Sequence, residues 1–127
     1  MGGDPGGWVI QRVINSEPSR GDVWDLDLNP VLGHEQAGFR PALILSVDLF
    51  NQGPADLIVV VPLTRTARKI RWHVSIRPPE GGLSAESFIQ CENIRSVSKQ
   101  RLKRRRGRIS PSTLDQVEDR IRILLDL

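Results

Sequence analysis

The chain has 127 residues, a formal net charge of +3, a sequence pI near 9.7, 39% apolar residues, one cysteine and no tyrosine. That length suits one domain with a modest core, which excludes two lobes around a large enclosed cavity and puts any catalysis in a surface groove or at a subunit interface. A single cysteine excludes an intrachain disulfide framework and an all-cysteine zinc site. No apolar run approaches the roughly 20 residues that cross a bilayer, and the N-terminus lacks the basic start and apolar stretch of a signal peptide, so a cytoplasmic protein with no membrane partner is expected.

The first 18 residues are rich in Gly, Pro and Asp around one apolar patch, Trp8-Val9-Ile10, and read as a flexible extension ahead of a domain over residues 19–127. Residues 23–28 alternate, with Asp22, Trp24, Leu26 and Leu28 on one face and Val23, Asp25 and Asp27 on the other, which predicts a strand with one wet side. Asn29-Pro30 ends it, and Gly33 and Gly38 bracket a polar loop holding His34, Glu35 and Gln36. PALILSV (residues 41–47) and LIVVVPL (residues 57–63) are near-continuous aliphatic runs whose β-branched content predicts buried strands, with a turn at Asn51-Gln52-Gly53-Pro54 between them. A fourth strand is expected over residues 72–76, then a break at Pro78-Pro79-Glu80-Gly81-Gly82, a strand or a strand with an irregular turn over residues 88–97, and a short charged one over residues 101–109. Ser110-Pro111-Ser112 is a helix start, with Ser110 as cap and Pro111 at the first helical position or Ser112 as cap with Asp115 three on, and Leu114, Val117, Ile121, Leu124 and Leu125 follow as one apolar stripe. Short strands closed by one terminal helix predict a mainly β, small, partly open barrel.

The charge is unevenly spread. Residues 99–108, KQRLKRRRGR, hold seven Lys/Arg and no acid, and outside them eleven basic residues face fifteen acidic ones. A second acid-free stretch, residues 65–79, carries Arg65, Arg68, Lys69, Arg71 and Arg77. Two such concentrations point to a polyanionic partner, against the plainer reading of solvated faces.

His34, His73 and Cys91 fall in no zinc spacing, no acidic triplet is arranged for Mg²⁺, and no phosphate loop, dinucleotide fingerprint or nucleophile elbow is present, so neither metal nor cofactor is expected. What remains is polar residues at strand ends. Glu35 and Gln36 lie in the loop after the first strand, Arg40 stands directly before PALILSV, and Thr64 is where LIVVVPL turns polar. An arginine fork at a strand mouth suits phosphate, and a threonine hydroxyl adds a donor; the alternatives are a surface ion pair of Arg40 with Glu35 or Asp48, and an ordinary strand-end threonine.

Beyond pattern, RGDVWDLDLNPVLGHEQAGFRPALILSVDLFN (residues 20–51) strongly resembles the MazF/PemK family of toxin endoribonucleases. The likeness continues through VVVPLT (59–64), HVSI (73–76), GGLSAESFIQCENIRSVSKQRL (81–102) and the helix ending in RILLDL. It implies a small SH3-like (CcdB/PemK-like) barrel with a C-terminal helix, usually a homodimer, that cleaves single-stranded RNA without a metal. In that chemistry the 2′-hydroxyl attacks the adjacent phosphate and leaves a 2′,3′-cyclic phosphate and a 5′-hydroxyl. By motif, Arg40 matches the catalytic arginine of RPA, Thr64 the threonine of PLT, and Glu35 the loop acid assigned to proton transfer.

The resemblance also implies a cognate acidic antitoxin with a partly disordered tail, which both basic stretches suit, and DNA binding only as the antitoxin complex. Arg65, Arg68 and Lys69 follow Thr64 directly and are expected to track the RNA backbone. His34 and Asn93 stand where relatives commonly carry a small residue and Gln, so with Gln36 and Glu92 they are candidates for RNA contact and sequence preference. An alternative two-histidine mechanism uses His34 and His73. Residues 99–108 read first as a charged edge that resists sheet pairing, ahead of RNA contact. A different function on the same barrel is a non-enzymatic, CcdB-like toxin that binds DNA gyrase.

Overall fold

A computed structural model of the chain describes residues 17–27 and 39–127. The loop carrying His34, Glu35 and Gln36 lies outside the described residues, as does most of the expected extension; of that extension, Pro18 is buried and Glu17 pairs with Lys99 at 2.9 Å. Seven strands follow: β1 (Asp22–Asp27), β2 (Phe39–Ile44), β3 (Leu57–Thr64), β4 (His73–Ile76), β5 (Ser87–Gln90), β6 (Arg95–Ser98) and β7 (Leu102–Arg108). Helix α1 (Asp48–Asn51) precedes the turn before β3, and α2 (Pro111–Leu125) ends the fold.

The sheet is antiparallel and not closed, in the order β4-β5-β3-β2-β1-β7. Strand β3 is the longest and serves three neighbours. Its whole centre pairs with β2, its first half with β6 and its last two residues with β5. Of the two readings of residues 88–97, the one with an irregular turn is found: β5 and β6 are hinged by a 3₁₀ turn at Cys91–Asn93. The mainly β, partly open architecture with a C-terminal helix is the one expected from the sequence.

The sheet carries a core on each face. One holds Val23, Leu43, Val61, Leu63, Ile89, Val117 and Ile121 under α2; the other holds Trp24, Leu26, Ala42, Ile44, Ile58 and Val60. Alternate residues of one strand thus enter different cores, which is why β2 and β3 read as continuous aliphatic runs. It also corrects the wet side expected for β1. Asp22 and Asp25 are buried along with Val23, Trp24 and Leu26, because β1 is flanked by β2 and β7 and its carboxylates are covered by arginines.

Those arginines come from the basic run. Asp22 meets Arg108 at 2.7 Å and Arg105 at 3.2 Å, and Asp25 meets Arg106 at 2.9 Å and Arg104 at 3.3 Å. Strand β7 is indeed a charged edge, but its charge also neutralises two buried carboxylates, which a lone acid could not endure at that burial.

Helix α2 starts where expected. Ser110 accepts a hydrogen bond from Thr113 N at 3.1 Å, Pro111 opens the helix, and Thr113, Val117 and Ile121 are its buried residues. The stripe predicted to run through Leu125 ends sooner: Leu125 is half exposed.

Candidate functional site

Strand β2 begins exposed at Phe39 and Arg40 and enters the core at Ala42, so the Arg40 side chain stands at the open end of the sheet. Strand β3 runs antiparallel and leaves the core at that same end. The β2–β3 ladder runs from Ile44–Val60 to Ala42–Pro62, and Arg40 and Thr64 stand two residues beyond that last pair on their strands. They are 24 positions apart in the chain, yet both line the same two cavities.

Two cavities meet at this pair. One, about 490 Å³, is lined by Phe39, Arg40, Thr64, Arg65, Ser84 and Arg106 among others. The second, about 520 Å³, is lined by Arg40, Thr64, Gln90, Glu92, Asn93 and Arg95 among others. Arg40, Leu63 and Thr64 belong to both, so the two cavities form one furrow with Arg40 and Thr64 at its midpoint.

Thr64 is held there by its own turn. Its Oγ1 accepts a hydrogen bond from Thr66 N at 3.1 Å, which leaves the hydroxyl proton to be given to an oxygen in the furrow. Arg40 is exposed and forms no ion pair among the described residues; Asp48, weighed as its partner, accepts instead from Arg20 N at 2.8 Å. Arg65 reaches the first cavity, where its Nη2 donates to Ser84 Oγ at 3.2 Å. Arg68 and Lys69 are exposed and line neither cavity, and Arg71 packs over the Trp72 ring beside Arg120 and Ile123.

In the second cavity Glu92 and Asn93 lie side by side on the 3₁₀ turn. Glu92 Oε2 also meets His73 Nε2 at 2.8 Å, while its Oε1 is buried without a partner. The His73 ring is only 3% exposed and lines neither cavity. Such a ring orients a carboxylate; it does not reach a substrate in the furrow. Cys91 is no nucleophile either: burial, helped by the Glu92 charge, pushes its thiol up to about 11.

Sequence reasoning did not single out Phe39, Ser84, Gln90, Arg95 or Arg106 as groove residues. Ser84 sits in the quoted GGLS motif, but nothing in the chain order shows which strand edge it faces. The two concave sites thus share one cation and one hydroxyl, and further arginines line both, an arrangement that suits a polyanionic ligand.

A family profile described as PemK-like, MazF-like toxin of type II toxin–antitoxin system matches residues 19–125. The chain belongs to this family. It is 34% identical over 109 residues to Endoribonuclease EndoA of Bacillus subtilis, which spans 85% of this chain and 94% of that protein. It is 35% identical over 113 residues to Endoribonuclease MazF9 of Mycobacterium tuberculosis, covering 85% and 96% of the two chains. A solved mycobacterial endoribonuclease in complex with its cognate antitoxin superposes with a TM-score of 0.72 at 28% identity, over 87% of this chain and 96% of that one. As a PemK/MazF-like toxin, the chain stands among enzymes named for cutting RNA, and its open sheet with a terminal helix is their architecture.

Proposed function

We propose that this chain is the endoribonuclease toxin of a type II toxin–antitoxin pair, cleaving single-stranded RNA without a metal ion to give 2′,3′-cyclic phosphate and 5′-hydroxyl ends. The observation that carries the reading is the meeting of two cation-lined cavities at Arg40 and Thr64. In the reaction the 2′-oxygen bonds to phosphorus, the bond from phosphorus to the 5′-oxygen breaks, the 2′ proton passes to a base, and a proton is delivered to the leaving oxygen. Charge grows on the equatorial phosphoryl oxygens, where the Arg40 fork and the Thr64 hydroxyl, its oxygen held by Thr66 N, supply donors. Glu35 is the proposed proton acceptor, by its motif position. Glu92 is less suited to that task because His73 engages its carboxylate.

RNA is reached in the cytoplasm, and the proposed partners are an acidic antitoxin and a second copy of the chain. Ile123 near the end of α2, which lines a recess with Trp72, and the half-exposed Leu125 offer apolar surface suited to self-association. Incubating the purified protein with long single-stranded RNA in EDTA tests the chemistry. Discrete fragments ending in cyclic phosphate are expected. Intact RNA from folded protein overturns the reading and returns attention to a non-enzymatic toxin.

A further inference from the structure

Arg106 occupies an unusual place in the sheet. Val23 pairs with Gly107 and Trp24 with Arg105, so one step along β1 spans two along β7 and Arg106 is the extra residue of a β-bulge. A bulge removes a residue from the ladder and re-aims its side chain, and such bulges gather beside active sites. Here the re-aimed side chain lines the first cavity with Arg40, Thr64, Arg65 and Ser84. Its Nη1 donates to Asp25 at 2.9 Å, which fixes the guanidinium. Its Nε is buried with no partner. Asp25 is also paired with Arg104, so this carboxylate is neutralised twice over. The other charged strand residues meeting these carboxylates, Arg105 and Arg108, take Asp22 and line neither cavity.

We propose that Arg106 and Arg65 form a second phosphate site, which holds the RNA phosphodiester one nucleotide away from the scissile one. This deepens the RNA reading above and rests on it. With Arg40 and Thr64 on the reacting phosphate, a second fixed phosphate sets the register of the strand in the furrow. Phosphate contacts position a nucleic acid and carry no sequence information, so Arg106 governs affinity and alignment equally on every sequence.

The test is equilibrium binding of a 2′-fluoro RNA oligonucleotide, which cannot cyclise, across a salt series. Loss of one phosphate contact to a single strand lowers the slope of log affinity against log salt by about 0.7. Arg106→Gln is expected to show that drop and to bind roughly tenfold more weakly on any sequence, in line with a lost charged hydrogen bond. Arg106→Lys is expected to keep the slope. Folded Arg106→Gln with wild-type slope and affinity overturns the proposal, as does a variant impaired only toward an acidic peptide.

Should Arg106→Gln not fold, Arg65→Gln and a methylphosphonate scan of the oligonucleotide against wild-type protein read the same site. One neutralised phosphate beside the one on Arg40 must cost about tenfold in affinity, and a flat scan overturns the proposal. Because binding is read without cleavage, a protein that binds in this way yet cuts no RNA refutes the nuclease reading and leaves the second phosphate site standing.

Discussion

Arg40, proposed to stabilise the reacting phosphate, contributes little to the fold. Arg40 is exposed and packs against no core, so Arg40→Ala is expected to change stability by less than about 0.5 kcal/mol. Cleavage is expected to fall by roughly 10²–10³-fold, the usual cost of one aimed donor at a developing charge. Single-turnover cleavage of a labelled RNA, alongside a urea melt, checks both halves. Asp22 is the opposite case. It is 1% exposed and accepts from Ser19 N at 2.9 Å, Trp24 Nε1 at 3.2 Å and Arg108 Nη1 at 2.7 Å. Asp22→Ala leaves buried donors unpaired and is expected to cost about 3 kcal/mol in chemical denaturation, through the fold alone.

At the scale of elements, the turn at Glu80–Gly82 joins the groove wall to the helix. Gly82 has φ +66°, and a β-carbon there would sit 1.9 Å from Arg106 O. Backbone therefore lies directly on backbone, and only glycine permits it. Gly82→Ala is expected to destabilise the fold by at least about 2 kcal/mol and to impair RNA binding, since the turn leads into Ser84 and abuts Arg106; thermal melts and binding on the same samples test this.

The same turn supplies Glu80, whose Oε2 accepts from Ser110 N at 2.9 Å at the start of α2. Burial works to raise the Glu80 carboxyl, but hydrogen bonds from Ser110 N and from the Thr113 and Ser110 side chains outweigh it and hold the group below its ordinary value. A lowered folded-state value adds stability above the ordinary glutamate range and loses it as pH falls through the folded value. Stability is thus expected to decline on acidification below about pH 4.5, and less steeply in Glu80→Gln, measured by urea midpoints across pH.

Across the whole molecule, the two cores and the open sheet make unfolding the route by which Cys91 becomes reactive. Its thiol is fully buried and pushed up to about 11, so thiolate is scarce at neutral pH. Alkylation by iodoacetamide is expected to be negligible in native protein and to appear with the urea transition; rapid labelling in buffer would contradict the packing described.

Much of this architecture was legible in residue order. The aliphatic runs of β2 and β3, the Ser110 cap with Pro111, and the stripe of α2 are local patterns, and local patterns report strand and helix without knowledge of neighbours. Arg40 and Thr64 were legible for the same reason, each marking where an apolar run meets polar chain. The pairing of Asp22 and Asp25 with Arg104 to Arg108 was not. More than 75 positions separate those partners, and only the β1–β7 register brings them together. Counting charges located the basic run; it did not say that four of its arginines cover two buried carboxylates while one, at a bulge, also turns into the furrow. Sequence alone located the aliphatic strands, the terminal helix and the two strand-end side chains, because these follow from periodicity and backbone chemistry. Tertiary structure alone decided where the net positive charge goes, because strand register sets which charges meet and no single stretch of chain contains it.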